Sequence, residues 1–289
     1  MRKYRNWVIC WSLALLVLTG CKTLPPIPAP LTRMEVLERF NSNVAALGAF
    51  KASIFEWDAK IVDEQGKKQR HRHLGGSVRY LPPEEPLKPS SFFLSTRAPI
   101  GEALVVGSNE EEYWMYIKPL GKGWWGKYKH QDKKCADKMM INPQAFLEFI
   151  GLRQLPTQPV RPGYKVGREQ NILEFIELVD GGYWIKREII IDRRDNLPKE
   201  VRAYGENGKL ILQSWLGKYK QLGRAWVPSE VRVIEKNGAE VMLDFRLKLW
   251  NFKTIDKDDR KLSILLRRPG KIKGINDYQQ IDQECENIR

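Results

Sequence analysis

The pattern that decides the fold is the stretch Val241-Met242-Leu243-Asp244-Phe245-Arg246-Leu247-Lys248-Leu249. Apolar residues occupy every second position, and charged residues fill most of the places between them. Because successive side chains of a strand point to opposite faces of a sheet, this period of two predicts a strand with one buried face. Such a strand needs neighbours that bury the same side, so we expect a mainly β protein.

Turn signals divide the rest of the chain into further strands. Asn207-Gly208 and Asn237-Gly238 are strong hairpin signals, because these residues tolerate the positive φ angles of tight hairpin turns. From residue 181 onward, turn signals recur every ~12–16 residues, which is the rhythm of an up-and-down antiparallel meander.

Two helices interrupt the strands. Thr32-Arg33-Met34-Glu35 is a capping box that opens a helix over Thr32–Leu47 with one apolar face. A second helix is predicted over Asn142–Ile150, with Pro143 in its first turn. A meander must close into a barrel, pair into a sandwich or cover one face with helices, and these two amphipathic helices are available as a cover.

The first 21 residues are built like an export signal. Three positive charges precede the apolar run Trp7–Leu18, whose 12 residues fall well short of the ~20 that cross a bilayer as a helix. The closing Leu18-Thr19-Gly20-Cys21 resembles the lipobox of bacterial lipoproteins. By that resemblance the signal, residues 1–20, is cleaved after Gly20, and Cys21 carries acyl chains that anchor the protein. The other interpretation is an ordinary secretory signal with a chance cysteine.

The mature chain is expected to begin with a proline-rich tether, residues 21–31, that favours extended polyproline II. Removing the three positive charges of the signal lowers the formal net charge from +14 to about +11. For an exported protein, that charge favours anionic lipid, lipopolysaccharide or cell-wall polymers over nucleic acid, unless it is only a solvated surface. An oxidising compartment permits a disulfide between Cys135 and Cys285, and the sequence leaves open whether they pair.

Several short motifs follow one another in a familiar order. They are the N-terminal helix, the strand pair from Phe55 to Tyr80, Pro99-Ile100-Gly101, Gly107-Ser108-Asn109, Ile191-Asp192 with Leu197-Pro198, and the stretch from Leu265 to Ile275. In this order, roughly residues 32–277 resemble the bacterial lipoprotein-sorting family, which comprises the LolA-like periplasmic carrier and the LolB-like outer-membrane receptor. We expect residues 32–289 to form a single domain of this kind.

The resemblance implies an α+β, mainly β fold, namely an incomplete up-and-down antiparallel half-barrel whose open side is covered by the two helices. It implies an apolar cavity that binds acyl chains of lipids or lipoproteins during transfer to the outer membrane, with no cofactor and no enzymatic activity. Expected partners are membrane lipid, these acyl chains and a periplasmic carrier. The cavity lining is expected on one strand face, at Phe55, Trp57, Phe93, Tyr113, Met115, Phe175, Phe245 and Leu247.

Pro99-Ile100-Gly101 resembles the Pro-Leu-Gly loop with which the receptor presents a protruding apolar residue to the membrane or to cargo. By that resemblance Ile100 is the inserting residue, and the alternative is that Ile100 packs within a hairpin. Lys22, directly after Cys21, resembles a sorting signal for the outer membrane. We therefore expect a lipid-anchored protein of the outer membrane that faces the periplasm.

A second functional interpretation rests on the basic aromatic segment, Lys118–Lys138, where seven lysines interleave with aromatic residues. Such a segment suits an interface with anionic headgroups, or stacking on the sugars of the cell wall or lipopolysaccharide. It also suits a solvated hairpin whose tryptophans fill the core. The residues on which this surface depends are Lys122, Trp124, Trp125, Lys127, Tyr128 and Lys129.

Two motifs resemble a phosphate-binding loop and a metal site, but the residues around them do not support these interpretations. Gly121–Tyr128 has the spacing of a phosphate-binding loop, but Tyr128 stands where Ser or Thr should meet magnesium, and no helix pattern follows. His71 and His73 share one face of a strand but lack a full set of ligands, and His130 could join them only by long-range folding. We therefore predict no metal site and no catalytic residues.

Overall fold

The structure is a computed structural model that describes residues 26–62, 66–73, 75–85, 88–98, 101–118, 121–130, 143–156, 163–179, 182–205, 208–238, 240–257, 260–270 and 272–283. The predicted signal with Gly20 and Cys21, and the pair Cys135 and Cys285, lie outside these residues. Within these ranges, no helix has both the length and the hydropathy to span a bilayer.

Three α-helices and seventeen strands make up the described part of the chain. The helices are α1 (Arg33–Ala45), α2 (Pro143–Phe149) and α3 (Arg260–Leu265). The strands are β1 (Phe50–Val62), β2 (Lys68–His73), β3 (Gly76–Leu81), β4 (Ser91–Ala98), β5 (Gly101–Ser108), β6 (Glu112–Ile117), β7 (Lys122–Lys127), β8 (Gly163–Val166), β9 (Gln170–Val179), β10 (Gly182–Asp192), β11 (Pro198–Tyr204), β12 (Leu210–Gly217), β13 (Lys220–Leu222), β14 (Ala225–Val227), β15 (Glu230–Asn237), β16 (Glu240–Thr254) and β17 (Asp277–Gln280).

Fifteen strands form one sheet, in the spatial order β17-β7-β6-β5-β4-β3-β1-β16-β15-β12-β11-β10-β9-β8, with β2 also paired to β1. Neighbouring strands are antiparallel except β17, which runs parallel to β7. Among the described residues, β8 and β17 end this order and do not pair with each other, so the sheet stays open. The predicted antiparallel half-barrel is confirmed, with the parallel strand β17 as an addition.

Strand β16 lies in the middle of this sheet and shows why the alternation decides the fold. Leu243, Phe245, Leu247 and Leu249 are buried on its concave face, while Arg246 and Lys248 are exposed on the convex face. Val241, at the start of the strand, is exposed instead. Each of the buried side chains contributes roughly 1.5–3 kcal/mol relative to exposure.

The helices cover the concave face, as predicted. α1 begins after Thr32, whose Oγ1 accepts the Glu35 N–H at 3.3 Å while the Glu35 carboxylate accepts the Thr32 N–H at 2.7 Å. This capping box satisfies two backbone donors that have no partner within the helix. α2 begins at Pro143, and its predicted cap, Asn142, lies outside the described residues. Both helices bury apolar residues in the concave core.

A second core lies on the convex face, over β4 to β7. Phe93, Val105, Trp114 and Tyr116 pack there against Leu262, Leu266 and residues of the following C-terminal segment. Gly107 makes room for the Trp114 ring in this second core, because a Cβ at this position would lie 2.3 Å from that ring. The C-terminal segment, residues 260–283, therefore covers one end of the sheet from outside.

Candidate functional site

The concave core is centred on a row of aromatic rings that joins the sheet to α2. Trp57 on β1 lies 4.5 Å from Phe245 on β16, measured between ring centroids. Phe146 of α2 stacks on Phe245 at 5.9 Å and contacts Phe92 of β4 at 5.6 Å. α2 thus places one aromatic side chain in the middle of the half-barrel.

Four residues of the predicted lining lie together in this core: Trp57, Phe175, Phe245 and Leu247. Met115 pairs across the strands with Val106, which packs against the same core, so Met115 and Tyr113 face the concave side. Met115 is half-buried, and the buried Tyr113 ring lies 5.0 Å from that of Tyr128. The structure therefore puts six of the eight predicted residues on the concave face.

The other two residues of the predicted lining, Phe55 and Phe93, do not face the concave core. Phe55 is 59% exposed, because the pairing of β1 with β16 is irregular between Ile54 and Glu56 and shifts the alternation. Ile54 and Trp57, three positions apart, both face inward as a result. Phe93 belongs to the convex core, and its neighbour Phe92 is the one that faces inward.

The most important interior residues that sequence reasoning missed are Phe92 and Phe146. Phe92 and Phe93 are adjacent and equally apolar, so alternation alone does not assign their faces. Phe146 lies on the apolar face of the predicted second helix, which was the available signal. Nothing in the local pattern showed that this helix inserts a ring between β4 and β16.

Polar contacts hold the helices and the segment after α2 on the sheet. Asn41 of α1 exchanges two hydrogen bonds with the Leu155 backbone, at 2.9 Å and 2.8 Å. The Gln144 side chain accepts the Ser90 N–H at 3.2 Å and donates to the Ser90 carbonyl at 2.9 Å. Ser214 on β12 donates to the Phe149 carbonyl at 2.8 Å. These contacts join α1, α2 and the sheet into one closed arrangement.

A charged pair lies under α2. Glu148 accepts a hydrogen bond from Arg187 of β10, and the Arg187 guanidinium lies 4.2 Å from the Phe175 ring centroid. Burial lowers the pKa of Arg187 to about 10, so its guanidinium remains charged at neutral pH. A charged group in this position needs its carboxylate partner.

A small cleft of about 190 Å³ opens beside the helices, between the end of α1 and the chain that follows β3. Val44, Tyr80, Pro82, Leu152 and Arg153 are among its lining residues. Binding sites for drug-sized ligands usually measure about 300–1,000 Å³. The half-barrel therefore has a small opening at its rim, beside the covering helices.

The predicted insertion loop falls between β4 and β5. Ala98 pairs with Gly101, so Pro99 and Ile100 connect the two strands of a hairpin. Both connecting residues lie outside the described part of the chain. Their role stays a prediction.

The described part of the basic aromatic segment lies mainly in strand β7. β7 contains Lys122, Trp124, Trp125 and Lys127, and the Arg268 guanidinium lies 3.6 Å from the Trp125 ring centroid. Trp124 is half-buried on the concave side, opposite Met115. Tyr128 accepts a hydrogen bond from Gln144 at 3.2 Å and Lys129 is exposed.

The histidines that the sequence singled out have separate surroundings. His130 is buried, and its Nδ1 lies 3.1 Å from Asp282 Oδ2. His71 and His73 lie on β2, in another part of the sheet. No group of metal-ligating residues occurs within the residues that the structure describes.

These observations define the protein as an open half-barrel that is covered by helices. No family model matches the sequence, and no curated protein matches it significantly. Among solved structures, a domain from Vibrio parahaemolyticus assigned to outer-membrane lipoprotein sorting is 13% identical, with a TM-score of 0.55. The match covers 81% of this chain and 98% of that one.

A LolA superfamily protein from Nitrosomonas europaea is 10% identical, with a TM-score of 0.50, and the match covers 81% of this chain and 98% of that chain. At such low identities the likeness concerns the fold. The chain has the LolA/LolB-like fold.

Proposed function

We propose that this chain is an envelope lipoprotein that binds the acyl chains of lipids or lipoproteins inside its half-barrel and takes part in their transfer to the outer membrane. The observation that carries the proposal is the contact of Phe146 with Phe92 and Phe245. A helix, and not a strand, fills the middle of the apolar face. A helix held by side chains can move away without breaking the sheet.

Acyl-chain binding requires the lid, α1 and α2, to open, because apolar side chains of both helices fill the concave face. The cleft of about 190 Å³ marks where the covering helices leave the sheet. Moving α2 outward withdraws Phe146 and exposes the apolar face, which an acyl chain then covers. Because one apolar surface replaces another, the exchange needs no cofactor and no covalent step.

The proposed cellular location is inferred from the N-terminal signal. Acylation at Cys21 anchors the protein, the tether 21–31 separates the domain from the membrane, and Lys22 directs it to the outer membrane. The domain, residues 32–289, then faces the periplasm, where a periplasmic carrier delivers its cargo. These steps come from the resemblance of the signal and of the sorting motifs.

The alternative, binding of cell wall or lipopolysaccharide by the basic aromatic segment, has weaker support. Sugar stacking needs an open aromatic face, and the Trp125 ring is already in contact with Arg268. Trp124 is half-buried against the concave side. We therefore do not propose this function.

Native mass spectrometry with lipid extraction tests the proposal, on the chain from Lys22 to Arg289 purified from the periplasm. This chain contains every residue of the two described cores, so we expect it to fold. We expect co-purifying acyl lipid or lipopeptide, and uptake of a fluorescent fatty acid. A clean apo mass together with no uptake would contradict acyl-chain binding.

Replacing Ile100 with Glu tests the insertion loop. We expect Ile100→Glu to leave the thermal unfolding midpoint unchanged and to abolish lipoprotein transfer, because a charge at the tip opposes contact with lipid. Transfer from loaded carrier to vesicles is the measurement. Ile264→Glu, an exposed isoleucine on α3, is the matched control and should transfer normally. Transfer that survives Ile100→Glu would show that the loop has another role.

A further inference from the structure

Arg187 places a positive charge on the concave face, at a position where the alternation of β10 favours an apolar residue. Ile189 and Ile191, on the same face of this strand, are fully buried in the concave core. On the two neighbouring strands, Arg187 pairs with Phe175, which belongs to that core, and with Ala203, which packs against it. The guanidinium therefore lies beside an interior that is otherwise suited to acyl chains.

The lid supplies the carboxylate that pairs with this cation. One oxygen of Glu148, on α2, accepts a hydrogen bond from the Arg187 guanidinium, and both side chains are largely buried. The other Glu148 oxygen lies 3.8 Å from the guanidinium of Arg153, a residue that lines the cleft at the rim. Among the described residues, the buried Nε of Arg187 has no hydrogen-bond partner. One carboxylate thus lies between two guanidinium groups, and the inner group has a donor to spare.

Opening of the lid takes this carboxylate away from Arg187. Phe146 and Glu148 both belong to α2, so a movement that withdraws the Phe146 ring also withdraws the Glu148 carboxylate. Arg187 belongs to the sheet and stays in place, and its pKa of about 10 keeps it charged at neutral pH. A largely buried cation that loses its counter-charge is unfavourable. A ligand on the concave face therefore either supplies a negative charge or leaves this cation unpaired.

We propose that Arg187 binds the anionic headgroup of the acyl ligand, a carboxylate or a phosphate, in the place that Glu148 occupies in the closed protein. The inference rests on the proposed function and narrows its ligand to anionic lipids. The position of the Glu148 carboxylate indicates that the space between Arg187 and Arg153 suits an oxyanion. Arginine recognises both headgroups, because its planar set of donors matches the paired oxygens of a carboxylate or a phosphate.

The position of Arg187 along β10 suits a headgroup whose tail lies in the half-barrel. On one side of it along the strand, Ile189 and Ile191 are fully buried, and on the other side Tyr183 is 82% exposed. Arg187 thus marks the boundary between the apolar interior and the mouth. Glu235 lies in the same cross-strand row, three strands away. At ~4.8 Å per strand, the two residues are roughly 14 Å apart along the sheet, so this carboxylate does not take the place of Glu148.

Matched pairs of ligands test this proposal on residues 22–289. Palmitate is compared with cetyl alcohol, and palmitoyl lysophosphatidate with monopalmitoylglycerol, by displacement of an uncharged polarity-sensitive dye at mildly alkaline pH. We expect the parent chain to bind the anionic member of at least one pair about tenfold more tightly, because a hydrogen-bonded charge pair forms in the interior. The double variant Glu148→Gln, Arg187→Met should lose this preference. Each ratio is taken within one variant, so a change in lid opening affects both members of a pair equally and cancels.

Two control variants should keep the preference. Glu148→Gln breaks the same contact of the lid but retains the cation. Arg232→Met removes a guanidinium that is also paired with a carboxylate, that of Asp244, and also lies over an aromatic ring, that of Trp215, but on the convex face.

The outcomes separate this proposal from the proposed function. Preference in only the carboxylate pair or only the phosphate pair supports the proposal and identifies the headgroup. Equal binding of both members of each pair by the parent chain, a preference that survives in the double variant, or its loss in Arg232→Met would each overturn the proposal and leave acyl-chain binding intact. Failure of the parent chain to bind any of the four ligands would instead contradict acyl-chain binding itself.

Discussion

At the scale of single residues, Phe146 controls the closed interior. Its ring contacts Phe92 and Phe245, and its removal leaves a cavity in the concave core. We expect Phe146→Ala to lower the free energy of unfolding by about 3–5 kcal/mol. The same change creates room next to the aromatic row, so we expect faster uptake of a fluorescent fatty acid in a stopped-flow measurement.

Phe93→Ala is the matched control for this prediction. Phe93 and Phe146 are equally buried, but Phe93 belongs to the convex core. We expect a similar loss of stability and no change in the rate of uptake. If both variants accelerate uptake equally, general destabilisation explains the effect and the lid role of Phe146 is wrong.

At the scale of elements, the attachment of α2 depends on the charged pair beneath it. Arg187 remains charged at neutral pH, because its pKa falls only to about 10. Glu148→Gln leaves this partly buried cation without its carboxylate, and we expect a loss of about 1–3 kcal/mol in the free energy of unfolding. Urea denaturation at pH 7 measures it.

The double variant Glu148→Gln, Arg187→Met separates charge from packing. Replacing both members removes the uncompensated charge, so we expect it to recover most of the stability that Glu148→Gln loses. A double variant as unstable as the single one would show that the pair acts through packing of the arginine against Phe175, and not through its charge.

At the scale of the whole molecule, one buried carboxylate helps to hold the C-terminal segment against the end of β7. Asp282 accepts hydrogen bonds from the Lys127 N–H at 2.8 Å and from the Gln280 side chain at 2.9 Å, and it lies 3.1 Å from His130 Nδ1. We expect Asp282→Ala to cost about 2–3 kcal/mol, because buried donors lose their acceptor.

Limited proteolysis checks this prediction. The C-terminal segment should be cut sooner in Asp282→Ala than in the parent chain. Gln279→Ala, an exposed neighbour, should behave like the parent chain. Protection of the segment in Asp282→Ala would mean that the apolar contacts alone hold it.

The sequence by itself determined the strands, the turns and the two covering helices, because alternation, hairpin turns and caps are local properties of the chain. The resemblance to the lipoprotein-sorting family predicted the half-barrel, and six of the eight residues predicted as lining lie on its concave face. Only the tertiary structure decided that Phe55 faces outward, that Phe92 and not Phe93 faces inward, and that β17 pairs with β7. A bulge, a choice between two adjacent aromatic residues and a long-range parallel pairing each depend on distant partners, and no local pattern records those partners.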